Sequence, residues 1–80
     1  MVARERRENE RKFGNWIVLP GGGRRYFYTV AGQHGWTARY VKEVDADENT
    51  VRFYQEIFDH VGKLVAIHDK YPEDKGHQNV

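Results

Sequence analysis

The sequence predicts a mainly β fold: an antiparallel meander of four to five strands in one strongly bent sheet, behind a charged N-terminal tail that is at most a short helix. Two observations carry this reading. Four runs alternate apolar and polar residues, namely RRYFYTVA (24–31), WTARYVKEV (36–44), TVRFYQEIF (50–58) and KLVAIHDKY (63–71), the first three rich in aromatics. The breaks between them are short and polar or glycine-bearing.

In chain order, residues 2–12 are good helix formers. Glu8 stands four residues before Lys12, the favourable order for an i,i+4 pair. Only Val2, Ala3 and Phe13 are apolar there, so no stripe is available for burial. An unpacked helix this short is marginal in water, and residues 1–12 are expected to fray. Trp16-Ile17-Val18-Leu19 reads as a first strand between Gly14-Asn15 and Pro20. Pro20-Gly21-Gly22-Gly23 reads as a flexible connector; it lacks the Lys-Ser/Thr of a phosphate loop and precedes a strand. Residues 13–77 then form one domain, with 78–80 a C-terminal tail.

Turns and charges set the registers. Gly32-Gln33-His34-Gly35 turns the first long hairpin and places Val30 opposite Trp36. In the next, Val44 opposite Val51 sets Glu43 against Arg52 and Arg39 against Glu56, two favourable cross-strand pairs. Asp59-His60-Val61-Gly62-Lys63 suits a type I turn with Gly62 in a left-handed bulge position. It pairs Phe58 with Leu64, Ile57 with Val65 and Tyr54 with His68. One face then collects Tyr26, Tyr28, Val30, Trp36, Ala38, Tyr40, Val44, Val51, Phe53, Ile57, Val65 and Ile67 as the core, with Trp36 as an anchor. The other face is mixed and holds Arg25, Phe27, Arg39, Tyr54, Glu56, His68 and Lys70, with an apolar group of Phe58, Leu64 and Val41. A sheet with so large an apolar face needs a cover, and a second copy of the chain is the expected one.

Eighty residues give one small domain with a thin core. There is no cysteine, which excludes disulfides and thiolate metal sites. No apolar run approaches the roughly 20 residues that cross a bilayer, and the charged N-terminus is no secretory signal, so a cytoplasmic protein without membrane contact is expected. The net charge of +1 hides an asymmetry. Residues 1–44 carry nine bases and four acids, and residues 45–80 four bases and eight acids. The basic half suits an anionic partner; mutual neutralisation across the sheet is the plainer outcome.

On the mixed face, Arg39, Glu56, Tyr54, His68 and Lys70 are the inventory for metal-independent cleavage of a phosphodiester. Glu56 or His68 would serve as base, His68 or Tyr54 as acid, and Arg39 and Lys70 would hold the phosphate. The same residues also read as an ordinary cross-strand ion pair and a half-exposed Tyr–His pair. Phe27 and Tyr54 beside Arg25, Arg39 and Lys70 suit base stacking with a basic rim. His68, Asp69, Asp74 and His77 could ligate a metal, but their spacing matches no zinc pattern, and Lys70 and Lys75 oppose a cation. No metal or other cofactor is expected. His34 and His60 read as exposed turn residues.

Three motifs carry a resemblance over about two-thirds of the chain. They are H-G-W-T-A-R-Y-V-K-E-V-D (His34–Asp45), R-F-x-Q-E-I-x-D-x-x-G-x-L-V (Arg52–Val65) and I-H-x-K-Y-P-x-D-x-G-H (Ile67–His77). The chain resembles a small uncharacterised prokaryotic protein family with these motifs, which implies no activity. It is more distantly similar to the RelE/ParE-like toxins of toxin–antitoxin pairs, which set Arg, Lys, Tyr and His on a meander. Here at most one N-terminal helix stands where that fold has two, and the C-terminal helix is missing.

The expected function is therefore a small non-enzymatic binding module that acts through an exposed sheet face and the basic N-terminal half on a nucleic acid, RNA among them, or a protein partner. The ligand contacts expected are Arg25, Arg39, Tyr54, His68 and Lys70. The alternatives are a toxin-like endoribonuclease and a structural homodimer.

Overall fold

A computed structural model describes residues 2–80. Helix α1 (Val2–Phe13) precedes strands β1 (Asn15–Val18), β2 (Arg24–Ala31), β3 (Thr37–Val44), β4 (Thr50–Phe58), β5 (Leu64–Tyr71) and β6 (Gly76–Asn79). All six strands pair antiparallel in sequence order, and the sheet stays open with β1 and β6 as its edges. No helix among the described residues is long and apolar enough to cross a membrane.

The mainly β class and the five expected strands are present within a residue of their expected bounds. The sixth strand is additional. Gly-His-Gln-Asn has no apolar residue to signal a strand, and main-chain pairing with β5 makes it one. The Asp74 carboxylate accepts from the Gly76 N–H (3.0 Å), and the Lys75 N–H donates to the Asp69 carbonyl (2.8 Å), so the turn itself aims β6 back along β5.

Residues 2–12 correct the expectation of a frayed tail. The helix docks on one side of the sheet, and its buried positions are Asn9 and Phe13. Phe13 packs on Tyr26, Tyr28 and Phe53 at centroid separations of 5.8, 5.4 and 6.5 Å. With Tyr26 and Val44 it forms the centre of the core. Burial of one Phe is worth about 1.5–3 kcal/mol, too little to hold twelve residues alone. Polar groups supply the rest. Gly14, at φ +80°, ends the helix by donating to the Glu10 carbonyl (2.9 Å), and the chain turns into β1.

The polar seat centres on Glu48, in the loop between β3 and β4. Its carboxylate is buried. It accepts from Asn9 Nδ2 (3.1 Å), from Arg6 Nε (3.2 Å) and from the Tyr26 hydroxyl. Arg24 donates to Glu10 (2.6 Å), and Lys42 Nζ donates to Asn9 Oδ1 (3.0 Å). Helix, loop and β2 thus meet at one anion, and β3 joins through Lys42 and Asn9. Burial alone would raise the Glu48 pKa; the hydrogen bonds from Tyr26, Asn9 and Arg6 outweigh it and hold the group below its ordinary value. Burial, then the bond to Glu48, pushes the Tyr26 phenol up to about 12.

The registers of β3–β4 keep both expected charge pairs, Glu43 opposite Arg52 and Arg39 opposite Glu56. A bulge beside Val44 sets Val44 against Thr50 rather than Val51, and Val51 is exposed. Val30 lies opposite Ala38, not Trp36. That is a shift of two residues, which keeps every side chain on its expected face. Trp36 itself follows a 3-10 turn (Gln33–Gly35) and is 41% exposed, so it does not anchor the core. His34 and His60 are exposed, as expected of turn residues.

Loss of the Glu48 carboxylate leaves the buried Asn9 amide and Tyr26 hydroxyl without that acceptor and Arg6 with only the Ala46 carbonyl, and each buried group left unsatisfied costs about 1–3 kcal/mol. Glu48→Ala is therefore expected to lower the urea midpoint. It is also expected to release the α1 amides to hydrogen exchange before those of β3 and β4; wild-type protection of α1 in this variant would refute the clamp. The pH dependence follows from the sign of the shift. A carboxylate with a lowered folded pKa stabilises the fold above its unfolded value, 4.5 for glutamate, and loses that contribution as pH falls through the folded value. Urea stability is expected to decline below about pH 4.5, and less steeply in Glu48→Gln.

Candidate functional site

With α1 on one side, the other side of the sheet has no covering element among the described residues. Alternation along each strand decides what it presents. β2 contributes Arg25 and Phe27, β3 Arg39, Val41 and Glu43, and β4 Arg52, Tyr54 and Glu56. Val41 and Tyr54 are buried at its centre without any overlying element, because the long side chains around them close over. Arg25, Phe27, Arg39, Val41, Tyr54 and Glu56 surround a shallow depression of about 300 Å³, with Ile17 of β1 at its border.

Four of the residues expected from sequence, Arg25, Arg39, Tyr54 and Glu56, thus come together. His68 and Lys70 do not. The expected register put Tyr54 opposite His68; in the sheet Tyr54 faces Asp69 and Gln55 faces His68. The cause is a bulge beside Ile57 and Phe58. Phe58 still pairs with Leu64, but Ile57 pairs with Ala66, so Val65 is the extra residue. One extra residue turns the side chains that follow it to the opposite face, until a second bulge at Lys70 brings Tyr71 opposite Phe53. Ile67 and Asp69 move to the open face, and His68 and Lys70 to the helix side. Lys70 Nζ lies 5.1 Å from the Tyr40 ring and 5.9 Å from the Phe53 ring, both on that side. His68 Nε2 lies 2.6 Å from Asp74 Oδ1, and its ring is 4.6 Å from that of His77.

The sheet therefore separates the acid–base inventory. Glu56, Tyr54 and Arg39 stand on one side, the imidazole and the ammonium on the other, and no single phosphodiester can reach both. Among the described residues, no group of three His, Asp or Glu side chains is placed to hold a metal ion.

The open face is instead organised by ion pairs. Arg25 Nε donates to Glu43 Oε2 (2.8 Å) and Arg52 Nε to Asp69 Oδ1 (2.7 Å). Arg39 Nη1 lies 3.8 Å from Glu56 Oε1, a looser pair. The Arg52 guanidinium also lies 4.0 Å from the Tyr54 ring centroid, and that of Arg39 5.0 Å from the Phe58 centroid. The bond from Arg52 holds the Asp69 carboxyl below its ordinary range. Burial, and then the charges of Glu43 and Glu56, push the Tyr54 phenol up, so it stays protonated at neutral pH.

Asp69 and Arg52 complete this face and were not among the expected contacts. Arg52 was legible as the partner of Glu43, but Asp69 depends on the bulge. In comparison with known proteins, no family model matches the chain, and neither does any curated protein or solved structure.

The division of the faces is testable at Lys70. Lys70→Ala removes a cation over two rings, an exposed interaction worth about 0.5–1 kcal/mol. The expected result is a stability loss of that size, with NMR shifts at Tyr40 and Phe53 and none at Tyr54. Shifts centred on Tyr54 would place Lys70 on the open face.

Proposed function

We propose that this chain is a non-enzymatic interaction module that pairs with a second copy of itself through the open face of the sheet. The observation that carries this reading is the order of charges across four strands. Arg25 on β2, Glu43 on β3, Arg52 on β4 and Asp69 on β5 form a row with signs plus, minus, plus, minus. Read backwards, the row has the opposite sign at every position. A two-fold axis running along the seam between β3 and β4 would set Arg25 against Asp69 of the second copy and Glu43 against its Arg52. The shorter row of Arg39 and Glu56 spans the same seam and obeys the same axis. Between the rows, Val41 and Tyr54 are neighbours across the seam and would meet each other's counterparts.

An isologous interface requires this kind of self-complementarity. Three arginines and three carboxylates also leave the face without net charge. A polyanion such as RNA gains no net attraction there, whereas an apolar strip with a paired polar rim suits a protein surface. Face-to-face packing of two sheets is an ordinary way to cover such a face.

Size-exclusion chromatography with light scattering tests the reading, with circular dichroism as a check on folding. The wild type is expected to be a dimer at micromolar concentration. Arg52→Glu sets two like-charged pairs across the axis and is expected to weaken the dimer at least about tenfold, since like charges across an interface cost several kcal/mol. Adding Glu43→Arg to it gives the row plus, plus, minus, minus, which again inverts on reversal, and the dimer is expected to return. The exchange breaks the Arg25–Glu43 and Arg52–Asp69 pairs within each chain, so recovery cannot come from internal repair. A wild type that stays monomeric, or an exchanged variant as monomeric as Arg52→Glu, refutes the proposal.

A further inference from the structure

We infer that a cleft on the helix side of the sheet binds a phosphate ester carried on a flat ring, the chemistry of a nucleoside monophosphate or of one unit in a single strand of nucleic acid. The cleft has a volume of about 460 Å³, within the usual range for small-molecule sites. It opens between the last turn of α1, the start of β4 and the end of β5.

Its lining divides into two kinds. Lys12 and Lys42 supply two ammonium groups, and no carboxylate lines the cleft. Neither lysine has a carboxylate oxygen within 4 Å among the described residues. Among the described residues Lys42 donates to Asn9 Oδ1 alone, so two of its three protons can serve a ligand. Burial lowers the Lys42 pKa and the Lys12 charge lowers it further, against the opposing charges of Glu48, Glu5 and Glu8. Glu48 is already hydrogen-bonded by Tyr26, Asn9 and Arg6. An arriving dianion would bond both ammonium groups directly.

The second kind is aromatic. Phe53 and Tyr71 line the cleft beside Phe13, and Tyr71 is 47% exposed. Lys70 Nζ lies 5.9 Å from the Phe53 ring. Asn49 and Thr50 add an amide and a hydroxyl to the lining. Ammonium groups, ring surface and hydrogen-bonding groups in one cleft match the phosphate, base and sugar of a nucleotide. The cleft lies on the opposite side from the open face, so a dimer formed there would leave both copies of it accessible.

The test is an NMR titration of the full chain with adenosine 5′-monophosphate, adenosine, inorganic phosphate and hexaadenylate in parallel. The monophosphate is expected to shift the amides of Asn49, Thr50, Phe53 and Tyr71. Adenosine and inorganic phosphate alone are each expected to bind at least about tenfold more weakly, since each lacks one half of the recognition. Lys12→Gln and Tyr71→Ala, both at exposed positions, are each expected to weaken the monophosphate by about tenfold without loss of folding. Hexaadenylate binding at the same amides, and more tightly than the monophosphate, would assign the unit to a strand; equal or weaker binding would assign it to a free nucleotide. The inference is overturned by no shift at millimolar monophosphate, by shifts on the open face instead, by inorganic phosphate binding as tightly as the ester, or by wild-type affinity in both variants.

Discussion

A single buried carboxylate, that of Glu48, decides how this chain is put together. Three loops share one hydrogen-bond frame. In Leu19–Gly23, Asp45–Asn49 and Asp59–Lys63, the first N–H donates to the last carbonyl and the fourth N–H donates to the first carbonyl. The fourth residue is left-handed in each: Gly22 at φ +89°, Glu48 at +67° and Gly62 at +84°. Glycine adopts that conformation freely, whereas a glutamate loses about 1–2 kcal/mol there. The strained position aims the Glu48 side chain beneath α1, where three donors wait. A glycine would relax the turn and leave the buried Tyr26 hydroxyl and Asn9 amide without their acceptor. The substitution of side chain for freedom at one position turns a hairpin loop into the clamp that seats the helix.

Once α1 is seated, the two sides of the sheet become different environments. The helix covers Tyr26 and Val44 and leaves a diagonal of rings from Phe13 through Tyr28 and Tyr40 to Phe53 at its margin. The other side receives the ion-paired rows. Cation type divides on another line. Arg4, Arg6, Arg24, Arg25, Arg39 and Arg52 have carboxylate partners, on both sides of the sheet, whereas Arg7, Arg11 and the lysines Lys12, Lys42 and Lys70 have none among the described residues. A planar guanidinium gains more from a fixed carboxylate than a compact, strongly hydrated ammonium does. The paired arginines of β2, β3 and β4 thus tie strand to strand and strand to helix, and the lysines are left with charge to offer.

Strand boundaries were legible because period-two alternation and short polar turns report them directly, and the Arg39–Glu56 and Glu43–Arg52 pairs fixed the central register. Three features were not legible, each for a physical reason. The α1 interface is polar except for Phe13, so a search for an apolar stripe passes over Asn9 and Arg6. β6 is held by main-chain bonds that leave no mark on Gly-His-Gln-Asn. The bulge at Val65 comes from local backbone geometry beside a tight turn, and the residues themselves fit either register. Glu48 was recognisable in principle: aligning D-A-D-E-N with D-H-V-G-K sets a glutamate where its sister loop has glycine.

The Val65 bulge has a consequence larger than its size. With a regular ladder, His68 and Lys70 would join Arg39 and Glu56, and the open face would gain an ammonium and an imidazole and lose Asp69. It would then be basic and no longer invert its own signs on reversal. The extra residue exchanges an imidazole and an ammonium for a carboxylate and Ile67, which makes the open face neutral and complementary to itself. The same step delivers Lys70 to the rings of Tyr40 and Phe53, beside the cleft that holds Lys12 and Lys42. The Val65 bulge thus sets Asp69 in the balanced row of the open face and Lys70 on the helix side, the arrangement on which both proposals rest.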